Sequence, residues 1–232
     1  MSFGVRSVII LILSILTISF VSAQKFNSFA GVRYGPALPM GEMASHEFGY
    51  GGYALLGKSV GVEAAWFFNP KLGVGIDYSS STFGFASGYY AEDYMQSEPA
   101  FSSVDLLSGL YDLKTYMAGV YNKMAYTSRF SSTFKLMGGI FRAKTHDQFF
   151  GVNAYMTGKL YFWKTSAAST KFTFLTGASF EYRLYKQVSL LLQADFTYAR
   201  GKFYYSTGET TGYTDYMHMP VFKLEPGINI HF

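Results

Sequence analysis

Apolar and polar residues alternate with a period of two over most of this chain, and the alternation predicts its elements. Val62, Ala64, Trp66 and Phe68 oppose Gly61, Glu63 and Ala65; after Asn69-Pro70-Lys71, the set Leu72, Val74, Ile76 and Tyr78 opposes Gly73, Gly75, Asp77 and Ser79. Successive side chains of a strand point to opposite faces, so each set marks one face of an extended segment. Two such runs joined by a short proline-bearing turn predict a hairpin. The same reading sets Ala30, Val32 and Tyr34 against Gly31 and Arg33. It sets Phe174, Ala178, Phe180, Tyr182 and Leu184 against Thr173, Gly177, Ser179, Glu181 and Arg183. Val188, Leu190, Leu192, Ala194, Phe196 and Tyr198 oppose Ser189, Gln193, Asp195 and Thr197. At the end, Phe222, Leu224, Ile228, Ile230 and Phe232 share one face, and Lys223, Glu225, Asn229 and His231 the other.

Elsewhere the pattern is weaker. From about Leu113 to Tyr126 a strand is expected with unclear parity: Tyr116, Ala118, Val120 and Met124 make one face, while Met117 and Tyr121 interrupt the other. Phe134, Leu136 and Ile140 oppose Lys135 and Gly139. Residues 83–111 show no sustained pattern. Residues 144–170 are irregular, with Tyr161-Phe162-Trp163 expected in a hairpin projecting beyond the sheet, and a polar loop is expected from about Tyr205 to His218. Eight strands result, joined by alternating long and short connections. Ten would result if residues 153–164 and part of 83–111 extended the sheet.

Two closed all-β architectures fit, one with apolar faces inward around a ligand and one with apolar faces outward to lipid. Composition favours the second. Aromatic residues make up 19% and Gly numbers 24, while charged residues are 15%, against about 25% in ordinary soluble domains. The N-terminus carries one cation, Arg6, then an apolar run from Val8 to Val21 ending in Val21-Ser22-Ala23. That run is shorter than the ~20 residues a spanning helix needs, and reads as a secretory signal cleaved after Ala23. The absence of cysteine excludes a lipoprotein anchor, disulfides and thiolate metal sites. The expected organisation is a signal peptide over residues 1–23 and, over 24–232, an eight-stranded antiparallel up-and-down transmembrane β-barrel. The formal net charge of +4 comes from scattered Lys and Arg, which gives no footprint for nucleic acid.

The export signal, the alternating connections, the glycine-rich strand Leu72-Gly73-Val74-Gly75-Ile76-Asp77-Tyr78 and a final strand ending in Phe232 resemble the small outer-membrane β-barrel domains of Gram-negative bacteria, PorT-like and OmpA-type. The resemblance implies an outer-membrane location and contact with outer-membrane lipid. It also implies that Phe222, Leu224, Ile228, Ile230 and Phe232 form a sorting signal read by the barrel-assembly machinery.

In such a barrel Arg33, Glu63, Asp77, Lys135, Glu181, Arg183, Asp195, Lys223 and Glu225 face inward. Charges enclosed in a narrow lumen must pair, because each unpaired one costs several kcal/mol. These nine are expected to plug the lumen with salt bridges. His46, His146, His218 and His231 show no metal-ligand spacing and no phosphate-binding loop is present, so no catalytic residue, metal or cofactor is assigned. The Tyr-rich segments Tyr89–Met95 and Thr211–His218 are candidate contact surfaces for a surface or periplasmic protein partner. The expected role is a monomeric, non-enzymatic envelope protein, structural or surface-interacting. The alternatives are a narrow passive pore, an accessory component of protein export, or a lipid-modifying barrel enzyme.

Overall fold

The computed structural model describes residues 28–206 and 212–232; the expected signal and its cleavage point lie outside them. In chain order the elements are β1 (Phe29–Pro39), β2 (Ala54–Phe67), β3 (Leu72–Phe85), α1 (Ser87–Ser97), β4 (Phe101–Ser108), β5 (Tyr111–Ala125), β6 (Phe130–Lys144), β7 (Gln148–Ala154), β8 (Gly158–Lys164), β9 (Ala168–Arg183), β10 (Val188–Ser206), β11 (Gly212–His218) and β12 (Val221–His231). Eight of these strands close a ring in the order β1-β2-β3-β5-β6-β9-β10-β12, every neighbour antiparallel, with β12 returning to β1. Closure removes the exposed strand edges that an open sheet of this composition would present. Short turns at residues 68–71, 126–129 and 184–187 gather at one end of the ring, and the long connections gather at the other.

The loop end is built more fully than the pattern suggested. The stretch 83–111 contains α1 and β4, and the hairpin containing Tyr161-Phe162-Trp163 is β7–β8. These join as a separate three-stranded sheet, β4-β7-β8, so the ring stays at eight strands. Helix α1 packs on this sheet through Tyr94, whose ring lies 5.8 Å from Phe101 and 5.6 Å from Phe150. The expected polar loop at 205–218 is in large part strand: β11 pairs with the far half of β10, from Arg200↔His218 to Ser206↔Gly212.

Side-chain orientation follows the alternation. Phe180 is 64% exposed and Ile228 46%, whereas Glu225 and Asp195 are 0% exposed. On β6 the outward apolar residues run from Phe130 to Ile140. Ten residue steps of about 3.4 Å, tilted by about 40°, give a height of about 26 Å. That matches the ~25 Å apolar band of a barrel in a bilayer. No described helix is long and apolar enough to cross a membrane; strands make the crossing.

Candidate functional site in the barrel lumen

Strand register assembles the middle of the lumen. Glu63 on β2 lies opposite Asp77 on β3, Lys223 on β12 opposite Asp195 on β10, and Glu225 opposite Gln193. Arg33 reaches into this ring from β1. Its Nε donates to Glu225 at 2.7 Å, one Nη to Glu63 at 3.0 Å and the other to Asp77, with Asp195 at 3.7 Å. Lys135 on β6 reaches three of the same carboxylates: Glu63 at 2.9 Å, Asp77 at 2.8 Å and Asp195 at 3.0 Å. Lys223 donates to Ser79 Oγ at 2.8 Å, and Gln193 Nε2 to Asp195 at 2.7 Å. A planar guanidinium can serve several carboxylates at once, which a single ammonium does less well.

Room for these side chains comes from inward glycines. A Cβ at Gly61 would stand 2.9 Å from the Arg33 guanidinium, and one at Gly177 would fall 2.0 Å from Asp195 Oδ1. Neither position admits a larger residue without displacing an ion pair.

A second, smaller cluster sits near the turn end. Glu181 accepts from Lys123 at 3.4 Å and meets His231 Nε2 at 2.7 Å, and Ser189 Oγ lies 2.8 Å from the same nitrogen. Serine, histidine and carboxylate are together here, but a catalytic triad needs the hydroxyl and the acid on opposite ring nitrogens. Here both address Nε2, while Nδ1 has no partner. The imidazole therefore cannot relay a proton from Ser189 to Glu181.

The lumen is not polar throughout, as the inward pattern had implied. Beside the two ionic clusters Phe29, Phe67, Met117, Tyr121, Met137 and Leu175 form an apolar cluster. Phe29 packs against Tyr121 at 6.1 Å and His231 at 6.0 Å, and Tyr121 stands opposite Lys135 in register. On the loop side a larger apolar core includes Tyr53, Phe83, Tyr111, Phe141, Phe203 and Met219. It joins the barrel mouth to the connections: Tyr53 hydrogen-bonds Asp93 of α1, and its ring meets Tyr90 edge-on at 5.0 Å. An eight-stranded barrel has an interior just wide enough for side chains to fill, and rings fill it more densely than solvated charges would.

Of the nine residues predicted to face inward, eight are buried: Arg33, Glu63, Asp77, Lys135, Glu181, Asp195, Lys223 and Glu225. Arg183, the last residue of β9, is only partly buried. Lys123 is buried and was missed. Its parity could have been read from Thr115 and Gly119, which share its face, but Met117 and Tyr121 on that face hid the signal. His46 stacks between Tyr53 and Tyr89, and His218 Nδ1 meets the Tyr198 hydroxyl at 2.6 Å. Among the described residues no group of three or more His, Cys, Asp or Glu is arranged to hold a metal. Phe222, Leu224, Ile228, Ile230 and Phe232 share the outward face of the final strand, with Phe222 partly covered.

No family model matches this chain, and no curated protein matches its sequence. Solved structures do match in shape. Neisserial surface protein A superposes with a TM-score of 0.52 at 14% identity, over 88% of this chain and 97% of that one. The fold is that of a small outer-membrane β-barrel. A major outer-membrane protein of Thermus thermophilus (TM-score 0.47, 13% identity, 88% and 99% covered) and Ail, the attachment invasion locus protein of Yersinia pestis (0.46, 13%, 90% and 100%), are further matches.

Proposed function

We propose that this protein is a non-conducting, non-enzymatic barrel of the outer membrane, with its turns in the periplasm and its loop end at the cell surface. The observation that carries the reading is the buried Arg33 centre, held by carboxylates from β2, β3, β10 and β12. Two apolar clusters pack the lumen around it. An ion crossing the barrel would have to part this network, and removing one partner of a buried pair costs about 3–5 kcal/mol. The salt-bridge set is thus read as a plug. At the loop end Leu107, Tyr161 and Trp163 are 72%, 65% and 61% exposed on the three-stranded sheet, a surface suited to contact with another molecule.

The purified protein in a planar bilayer tests the reading. The expected record is silent at all voltages the bilayer withstands, and discrete steps from the wild-type barrel would overturn the plug. The outward final strand supports a sorting role for Phe222, Leu224, Ile228, Ile230 and Phe232 toward the barrel-assembly machinery. Phe232→Ala is expected to slow assembly in cells without changing the stability of the assembled barrel. Unchanged assembly kinetics would remove that role.

A further inference from the structure

The outer wall is not the same all round. Above the apolar band, β5, β6 and β10 turn Lys114, Arg142, Lys144, Arg200 and Lys202 outward. Next to β5 in the ring, β3, β2 and β1 present Ser80 and Thr82, one cation, Lys58, and Pro36 and Leu38 at comparable heights. Lys114 and Arg142 are direct cross-strand neighbours. Like charges facing each other on adjacent strands destabilise a sheet. Among the described residues Asp112 contacts Lys114 at 3.5 Å and stands opposite Lys144 in register, and no ion pair joins a carboxylate to Arg142. The strands therefore hold an excess of positive charge against one another at the level where lipid headgroups begin.

Below this pair the wall is grooved. Ala30, Ala64, Ile76, Ala118 and Gly138 lie in one register row across β1, β2, β3, β5 and β6. They floor an open channel of about 890 Å³, with Val62, Tyr78, Tyr116 and Ile140 standing higher beside them. Four strand spacings of about 4.8 Å make it about 19 Å long. The row climbs: Ala30 is the second residue of β1, at the turn end, whereas Gly138 is the ninth residue of β6. Its upper end lies one outward position below Tyr116 and Ile140, which themselves lie just below Lys114 and Arg142.

We infer that the β5–β6 wall binds a phosphate-bearing lipid of the outer leaflet, the phosphate between Lys114 and Arg142 and an acyl chain descending the groove toward Ala30. Guanidinium and ammonium groups both recognise phosphate, and the site is continuous with the hydrocarbon-facing surface, so the occupant is a membrane lipid and not a soluble anion. The inference rests on the membrane-spanning reading of the barrel but not on its sealed lumen; conductance of the wild-type barrel would leave it untouched.

The test is lipid retention, read by native mass spectrometry of the barrel released from phosphatidylcholine nanodiscs doped with bisphosphorylated lipid A. The wild type is expected to carry the lipid A. Lys114→Gln with Arg142→Gln should weaken retention about twenty-five-fold, a basic residue near an anionic surface contributing about fivefold each. Lys58→Gln, on β2 and two strands from Lys114, should leave it unchanged, as should added inorganic phosphate. Ala118→Phe, with both cations intact, should weaken retention by obstructing the groove. Heat-modifiable migration on a gel verifies that each variant is folded. Equal retention by the double variant, equal retention of dephosphorylated lipid A, or displacement by inorganic phosphate would overturn the inference.

Discussion

Two regions fill the same barrel by opposite means. The middle of the lumen is ionic and is assembled by register: Arg33, Glu63, Asp77, Lys135, Asp195 and Glu225 come from six strands yet converge on one cluster. The loop end is an aromatic core, and much of it comes from connections, Met43 and Tyr53 between β1 and β2 and Tyr90 from α1. The first is a network whose members share partners; the second is a core of packed rings, several of them on connections outside the ring. The ionic layer should therefore govern global stability of the barrel, and the aromatic cap the access of solvent to its mouth.

The largest effect is expected at Arg33. Arg33→Leu removes the cation shared by four buried carboxylates, leaving Glu225 without its guanidinium partner and the other three on Lys135 alone. It should cost about 3–5 kcal/mol, measured by urea unfolding of the barrel in lipid, and a loss below about 1 kcal/mol would deny the ionic layer its role. Phe203, fully buried in the cap, comes next. Phe203→Ala should cost about 3 kcal/mol, seen as faster proteolysis of the loops with the gel shift on heating retained. If Phe203→Ala abolished that shift, cap and ring would be one cooperative unit and the contrast would fail.

These two regions also differ in how far the sequence revealed them. Where lipid faces one side and charge the other, as on β2, β3, β10 and β12, period-two alternation identifies strand, face and lumenal residue together. It fails on β5 because the inward face carries Met117 and Tyr121, which pack in the lumen for the same reason that outward residues meet lipid: both surroundings are apolar. Lys123 was lost with them. The cap was illegible for a further reason. Its rings meet across long sequence separations, as Phe85 meets His146 at a centroid distance of 4.0 Å, and no local period encodes such contacts.

Crowding gives a more modest prediction. Gly177→Val puts a side chain where Asp195 Oδ1 now lies, and overpacking of this kind costs about 1–3 kcal/mol. Gly158 has open space around the position of a Cβ but a φ of +77°, so its substitution should perturb only the β7–β8 turn.

The smallest effect distinguishes the cap by pH. His146, between β6 and β7, is buried against Phe85 and Tyr111, and neither ring nitrogen has a partner. Burial foremost, with Lys164 adding to it and Asp147 opposing, pushes its pKa down to about 3 from an ordinary 6.5. The opened cap thus binds a proton more readily than the closed one between those values. Closure is fully stabilised above about pH 6.5 and weakens as pH falls toward 3. Loop proteolysis by an acid-tolerant protease should accelerate over that window in the wild type and less so in His146→Phe.

Everything rests on which way each side chain of a strand points, and β10 offers a direct measurement. The chain has no cysteine, so single cysteines from Ser189 to Phe196 can each carry a fluorophore in vesicles of brominated lipid. Strong quenching is expected at Leu190, Leu192, Ala194 and Phe196, and little at Ser189, Leu191, Gln193 and Asp195. Quenching on the second set, or without alternation, would contradict it.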